Sequence, residues 1–136
     1  MTVVDASTLV EVLLRTRLGE RCTERLLRRN DALFAPHLLD VEVTQVLRRY
    51  AQRGEMPDAR GREAIQDLAD FPLIRFSHEP FLQRIWELRH SLSAYDAAYI
   101  ALAEALDAPL VTCDSRMARA HGHAARVEIL SETPPR

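Results

Sequence analysis

The stretch AYDAAYIALAEALDAPLVTCDS, residues 94–115, carries the pattern that decides the fold. From Ala94 to Leu106 it is rich in alanine and apolar nearly all round, which predicts a helix buried between other elements. The short run 109–113 that follows is apolar and bounded by turn-forming residues, which predicts a strand. A buried helix leading into a buried strand is typical of domains in which helices cover a sheet.

Outward from this stretch, short apolar runs alternate with longer periodic ones. The predicted strands are 2–4, 32–35, 73–76, 109–113 and 127–129, and the predicted helices are 7–15, 19–29, 37–53, 57–70, 79–90, 94–106 and 115–121. This alternation favours a three-layer α/β fold, with a mainly parallel sheet of about five strands flanked by helices. In such folds the ligand site lies at the carboxyl edge of the strands.

Length and composition set the domain organisation. With 136 residues, 47% of them hydrophobic, we expect one domain over residues 1–131 and a flexible tail over 132–136, which contains two prolines. No run approaches the ~20 apolar residues that a membrane span needs. Because a strand begins almost at the first residue, we expect no export signal and a cytoplasmic location. Cys22 and Cys113, far apart in sequence, are expected to be reduced thiols.

All 18 basic residues are arginine, and the formal net charge is -2. The absence of lysine excludes a P-loop, a Schiff-base enzyme and a phospho-receiver domain. Guanidinium groups bind phosphate in a bidentate way, so clustered arginines are candidate phosphate ligands even in a mildly acidic protein. Two clusters follow acidic residues and could equally be solvated helix faces: Arg48, Arg49 and Arg53, and Arg116 and Arg119.

Four acids stand where a site is expected. Asp5 follows the first predicted strand and Asp114 the fourth, although each of them alone could be a helix N-cap. Glu42 borders the apolar stripe of its helix instead of facing water. Asp96 lies in the first turn of the alanine-rich helix, where pairing with the helix dipole is the simpler explanation. That explanation accounts for one acid but not for four.

Four carboxylates in one pocket repel one another, and a hard divalent cation removes the conflict. Mg²⁺ takes oxygen ligands and leaves positions for phosphate oxygens, and Mn²⁺ accepts the same ligands. We therefore expect Asp5, Glu42, Asp96 and Asp114 to hold metal for hydrolysis of a phosphodiester. Ser7 and Thr112, each two residues from an acid, could orient a carboxylate or simply cap and pack. Tyr95, beside Asp96, could stack on a base, although packing is the interpretation that we favour.

Four segments carry a family resemblance, namely VVDAST (3–8), LLDVEVTQVL (38–47), SLSAYDAAYIALAEAL (91–106) and LVTCDSRMARA (110–120). Their order and spacing resemble the PIN domain, and most closely the VapC toxins of VapBC toxin–antitoxin modules. The most specific part is the YDAAYIALA segment, whose aspartate precedes that of the TCD segment by eighteen residues. The resemblance covers almost the whole chain.

The resemblance implies a function and partners. In that family the acids that match Asp5, Glu42, Asp96 and Asp114 hold magnesium or manganese for cleavage of single-stranded RNA, so it implies an endoribonuclease toxin. It also implies a homodimer and a VapB-like antitoxin, a small DNA-binding protein whose C-terminal segment covers the site and often presents an arginine to the acids. One departure concerns a further acid that some members carry just after the fourth. In this chain that position is Ser115, and the next residue is Arg116. Arg116 is an auxiliary candidate for the site, together with Ser7 and Thr112.

Two other functions compete with this interpretation. A catalytically silent PIN-like scaffold would bind RNA or a partner without cutting, and retention of all four acids argues against it. An aspartate-based phosphatase of the haloacid-dehalogenase kind also places an aspartate after its first strand. That chemistry needs an acid two residues later and a lysine further on, whereas position 7 is serine and lysine is absent.

Overall fold

The computed structural model of the protein describes residues 1–132 and contains one five-stranded sheet in which every pairing is parallel. The strands are β1 (Thr2–Val4), β2 (Leu33–Pro36), β3 (Leu73–Phe76), β4 (Leu110–Thr112) and β5 (Val127–Ile129). Their order across the sheet is β3-β2-β1-β4-β5. The predicted α/β class is confirmed. The predicted tail, 132–136, lies outside the described residues except for Glu132.

Helices flank the sheet, as predicted. They are α1 (Ala6–Leu14), α2 (Arg17–Leu27), α3 (Leu38–Gln52), α4 (Asp58–Asp70), α5 (Leu82–Glu87), α6 (Ala94–Leu106) and α7 (Ser115–Arg119). The single helix predicted over 79–90 is wrong at both ends. A 3-10 turn, Glu79–Phe81, with Pro80 inside it precedes α5, and α5 ends at Glu87, where the buried Leu88 forms the C-cap.

Helix α6 has the burial that its composition predicted. Every residue from Ala97 to Ala103 is buried, and the helix packs against β1, β2 and β4. Alanine side chains allow the close approach, since they add little bulk between the helix and the strands. The helix ends at Asp107, which adopts the left-handed conformation (φ 48°) and closes the last turn through its backbone N–H.

The strand order brings the ends of β1 and β4 together. These two strands are neighbours at the centre of the sheet, with Val3 opposite Leu110 and Val4 opposite Val111. Both valines are fully buried, so the centre of the sheet is fixed by apolar packing on both faces. Because all five strands are parallel, their carboxyl ends lie at one edge, where Asp5 directly follows β1 and Asp114 follows β4 after Cys113.

Among residues 1–132, no helix combines the length and the apolar character required to cross a membrane.

Candidate active site

A cavity of about 560 Å³ opens at the carboxyl edge of the sheet. Four different elements contribute one acid each to its wall: Asp5 from the end of β1, Glu42 from α3, Asp96 from α6 and Asp114 from the end of β4. The cavity is also lined by Ala6, Ser7, Val41, Gln45, Val46, Arg49, Tyr95, Tyr99, Arg116 and Met117. Residues far apart in sequence therefore share one pocket.

Asp5 is the most buried of the four acids, at 3% exposure. It caps α1, since its Oδ1 accepts a hydrogen bond from the backbone N–H of Thr8 at 3.0 Å. Burial raises the pKa of Asp5 above its ordinary value of 3.8, although hydrogen bonds from Thr112, Thr8 and Ser7 act in the opposite direction. A carboxylate placed here without a nearby positive charge is costly, which is the situation that a cation relieves.

The two auxiliary hydroxyls both orient Asp5. Thr112 Oγ1 donates to Asp5 Oδ2 at 2.5 Å and accepts from the backbone N–H of Asp114 at 2.9 Å. Ser7 Oγ donates to Asp5 Oδ1 at 2.8 Å and accepts from the backbone N–H of Cys113 at 3.1 Å. Ser7 lines the cavity, whereas Thr112 is fully buried beneath it. The two hydroxyls thus connect the end of β1 to the end of β4.

Glu42 lies in the second turn of α3 and is half-buried. Its Oε1 accepts a hydrogen bond of 2.6 Å from the hydroxyl of Tyr99, a residue of α6. Burial is the main cause that raises the pKa of Glu42 above 4.5, and the negative charges of Asp96 and Asp5 raise it further. Glu42 is therefore repelled by two other acids of the site in the folded protein.

Asp96 occupies the first turn of α6, whose N-cap is Ser93. Ser93 Oγ accepts from the backbone N–H of Asp96 at 3.2 Å, so the capping is done by Ser93 and not by the aspartate. Burial raises the pKa of Asp96, the charge of Asp114 raises it further, and Arg116 lowers it. The Asp96 carboxylate is therefore not used as a helix cap, and it lines the cavity.

Asp114 differs from the other acids because a guanidinium faces it. Its two carboxylate oxygens accept from Nε and an Nη of Arg116, at 3.1 and 2.9 Å, and its Oδ1 also accepts the backbone N–H of Arg116. These contacts hold the pKa of Asp114 below its ordinary value. The Arg116 side chain is 78% exposed, so this ion pair is solvated and weak.

The donor set fits a hard divalent cation. The candidate ligands are carboxylate oxygens, and among residues 1–132 no arginine or histidine forms an ion pair with Asp5, Glu42 or Asp96. Within the same residues, no three acidic, histidine or cysteine side chains stand ready to coordinate one ion. The four acids line one cavity, and Asp5, Glu42 and Asp114 accept hydrogen bonds from protein groups that orient their carboxylates.

The predicted arginine clusters divide between the cavity and other surfaces. Arg49 and Arg116 line the cavity, and Arg119 is close enough to lower the pKa of Asp114. Arg48 lies on another face, against a shallow depression lined by Met56 and Gly61. Two guanidinium groups at the rim of an acidic pocket can receive phosphate oxygens on either side of a bound strand.

Two tyrosines of α6 line the cavity, and the sequence predicts neither of them there. Tyr95 was expected to pack, which is wrong: its side chain is 66% exposed and stands at the rim of the cavity. Tyr99 was not recognised as a site residue, although it lies three positions after Asp96, on the same helix face. That spacing was the signal that could have identified it.

Comparison with known proteins identifies relatives along nearly the whole chain. The PIN domain matches residues 2–122. Ribonuclease VapC12 of Mycobacterium tuberculosis is 39% identical over 131 residues, covering 96% of this chain and 100% of the relative. VapC ribonuclease Mb0985 of Mycobacterium bovis is 44% identical over 117 residues, covering 86% and 88%.

Two solved structures share the fold. PAE2754 from Pyrobaculum aerophilum superposes with a TM-score of 0.64 at 23% identity and covers 91% of this chain and 87% of that one. VapBC2 from Rickettsia felis, solved bound to a DNA fragment from its promoter, gives a TM-score of 0.67 at 14% identity and covers 96% and 98%. At these identities the likeness concerns the fold alone.

Proposed function

The chain belongs to the PIN-domain family and, within it, to the VapC group, and we propose that it is a divalent-metal-dependent endoribonuclease, the toxin of a toxin–antitoxin pair. The observation that carries this proposal is the meeting of Asp5, Glu42, Asp96 and Asp114 around one cavity, with three of them lacking a cationic partner within residues 1–132. Relatives named as ribonucleases make RNA the expected substrate. Two of the predicted auxiliary residues, Ser7 and Arg116, line the same cavity.

Mg²⁺ is the proposed ion, with Mn²⁺ as a substitute, and Asp5, Glu42, Asp96 and Asp114 are its proposed ligands and the catalytic acids. When bound, such an ion supplies Lewis acidity: it stabilises charge developing on the phosphodiester and makes water a better nucleophile. The protein contributes the orientation of the carboxylates. Thr112 and Ser7 hold Asp5, and Tyr99 holds Glu42, each through a neutral donor that leaves the negative charge in place.

Arg116 and Arg49 are the proposed contacts to the RNA backbone. Both line the acidic cavity, and Arg116 is solvated enough to leave Asp114 when a phosphate offers a better partner. Contacts of this kind position a strand without reading its bases. Glu42 and Arg49 both lie on α3, so one helix carries a candidate metal ligand and a candidate phosphate contact.

A VapB-like antitoxin is the proposed partner, and the proposed mode of inhibition is occupation of the acidic cavity by an arginine of its C-terminal segment. A guanidinium satisfies the same carboxylates through charge-assisted hydrogen bonds. One structural neighbour, VapBC2 from Rickettsia felis, was solved bound to a DNA fragment from its promoter. An antitoxin lacking its tail should still bind yet fail to inhibit RNA cleavage. Full inhibition by the truncated form would show that the tail does not act at the cavity.

We also propose that the toxin forms a homodimer and, with its antitoxin, a hetero-oligomer in the cytoplasm. The exposed apolar side chains Leu82 and Trp86 on α5 offer a surface for such an assembly. Both cysteines are free thiols, as a reducing compartment would leave them.

The test of the proposal is cleavage of a single-stranded RNA in Mg²⁺ or Mn²⁺. Asp96→Asn keeps the size of the side chain and removes one charge, so cleavage should fall on the order of 10²-fold or more while the fold survives. Chelator should abolish cleavage by the unmutated protein, and added metal should restore it. Asp58→Asn is the matched control, because Asp58 is also a first-turn aspartate, on α4 and away from this cavity.

The competing functions predict different outcomes. A silent PIN-like scaffold would bind the RNA and leave it intact in any metal. Family membership, together with Ser7 and the absence of lysine, speaks against an aspartate-based phosphatase. Normal cleavage by Asp96→Asn in limiting metal, or cleavage that survives excess chelator, would make the proposed mechanism wrong.

A further inference from the structure

We propose that Tyr99 is a positioning residue, whose buried hydroxyl fixes the carboxylate of Glu42 in the orientation that a divalent ion requires. The inference deepens the proposed function and rests on it. It assigns a role in the metal site to a side chain that carries no charge and does not itself coordinate the ion.

The geometry ties Tyr99 to Glu42 and to little else that is polar. The tyrosine is 1% exposed, and its ring belongs to the apolar core. Only the hydroxyl end reaches the cavity wall, where it donates to Glu42 Oε1 at 2.6 Å. Because the packed ring cannot move, the hydroxyl is a fixed point against which the longer and more flexible glutamate is held.

The hydroxyl also lies where three acid-bearing elements meet. Tyr99 is on α6, one turn after Asp96, and its partner Glu42 is on α3. The hydrogen bond between them links α6 to α3 at the wall of the cavity, which Asp5 and Asp96 also line.

A neutral donor suits this task better than a cationic one. Glu42 is repelled by Asp5 and Asp96, so without a partner its side chain would turn towards solvent and away from them. The phenol occupies Oε1 and leaves Oε2 and the whole negative charge for the ion. A lysine or arginine would also hold the glutamate, but its positive charge would oppose the binding of a cation at the same carboxylate.

Tyr99→Phe tests the role, because it removes the hydroxyl and keeps the ring. Mn²⁺ binding is measured without RNA, from the loss of the free-ion signal in electron paramagnetic resonance. Loss of a group that orients a metal ligand typically weakens binding 10–100-fold, so we expect about a tenfold higher Kd. The Mn²⁺ concentration for half-maximal RNA cleavage should rise by a similar factor, and saturating Mn²⁺ should restore most of the rate.

Tyr50→Phe is the matched control. Tyr50 lies on α3 with its ring against the core, and it lines a different depression, beside Glu55 and Met56. Its Mn²⁺ affinity should equal that of the unmutated protein. Thermal melting in chelator shows that each variant is folded at the assay temperature, which separates lost orientation of Glu42 from lost structure.

A double-mutant cycle decides whether Tyr99 acts through Glu42. In a Glu42→Gln background, Tyr99→Phe should change Mn²⁺ affinity less than twofold, since the carboxylate that it orients is already gone. Equal Mn²⁺ affinity of the unmutated protein and Tyr99→Phe would overturn the inference, as would a full tenfold effect in the Glu42→Gln background. An unmutated protein that binds no Mn²⁺ would instead overturn the proposed function, and the inference with it.

Discussion

At the scale of single residues, the four acids fall into two groups according to what faces them. Burial raises the pKa values of Asp5, Glu42 and Asp96, and neighbouring acids raise those of Glu42 and Asp96 further, whereas the Arg116 guanidinium lowers that of Asp114. The first three are the groups that a cation would stabilise most. In the metal-free protein the ionised acids of the site therefore lower the free energy of unfolding, and this cost can be measured from the pH dependence of stability.

We predict that the metal-free protein gains stability as the pH falls from neutral to about 5. A carboxyl group with a raised pKa binds its proton more tightly in the folded state, so its contribution to stability is present at low pH and lost as the pH rises through the raised value. The lowered pKa values of Asp114, Glu104 and Glu128 act oppositely, and their contributions are lost only as the pH falls below the ordinary values of 3.8 and 4.5.

The measurement is the melting temperature in chelator between pH 5 and pH 7.5, values chosen to lie roughly above the ordinary carboxyl range. Asp96→Asn removes one of the three groups and should flatten the profile. Saturating Mn²⁺ should raise stability most at the higher pH, where the acids are ionised. A metal-free profile that rises steadily from pH 5 to pH 7.5, unchanged by Asp96→Asn, would contradict the repulsion described for these acids.

Individual site residues differ in how far the sequence predicts them. Asp5 and Asp114 follow apolar strands, and the topology rule for parallel sheets is enough to propose them. Tyr99 could not be recognised with the same ease, because a tyrosine inside an apolar helix looks like core, and the direction of its hydroxyl depends on where the fold places α6 relative to Glu42. The role of Tyr95 was misjudged because local pattern does not reveal that the start of α6 extends beyond the sheet into solvent.

At the scale of elements, α2 is joined to the edge of the sheet by an ion pair whose arginine is buried and whose glutamate is 39% exposed. Arg25 of α2 is 6% exposed, and its guanidinium makes two hydrogen bonds to Glu128 of β5, at 2.6 and 2.8 Å. The two residues are 103 positions apart, so no local pattern predicts the contact. By contrast, the burial of α6 follows directly from its alanine content.

We predict that Glu128→Gln lowers the free energy of unfolding by about 1 kcal/mol, because the buried guanidinium of Arg25 loses a charged partner whose own carboxylate is partly solvated. Denaturant unfolding provides the measurement. Glu87→Gln is the control, since Glu87 pairs with Arg84 on an exposed helix face, where such a pair contributes less than about 0.5 kcal/mol. Equal effects of the two substitutions would mean that the Arg25–Glu128 pair contributes no more to the free energy of unfolding than an exposed ion pair does.

At the scale of the whole molecule, the parallel sheet explains why acids spread over 110 positions of the chain meet in one place. The alternation of strands and helices predicts the parallel sheet, but it does not determine the order β3-β2-β1-β4-β5, which depends on how the helices pack on the two faces. The central pair, β1 and β4, places Asp5 beside Asp114, and α3 and α6 bring Glu42 and Asp96 over the same edge.

The most direct test of the metal site is a crystal grown with Mn²⁺ and measured at wavelengths on both sides of the manganese absorption edge. We predict an anomalous peak inside the cavity, with oxygen ligands from at least two of Asp5, Glu42, Asp96 and Asp114 in octahedral coordination. Protein from the same preparation should cleave single-stranded RNA in Mn²⁺. A manganese peak bound elsewhere, or a cavity without manganese in a preparation that cleaves RNA, would contradict it.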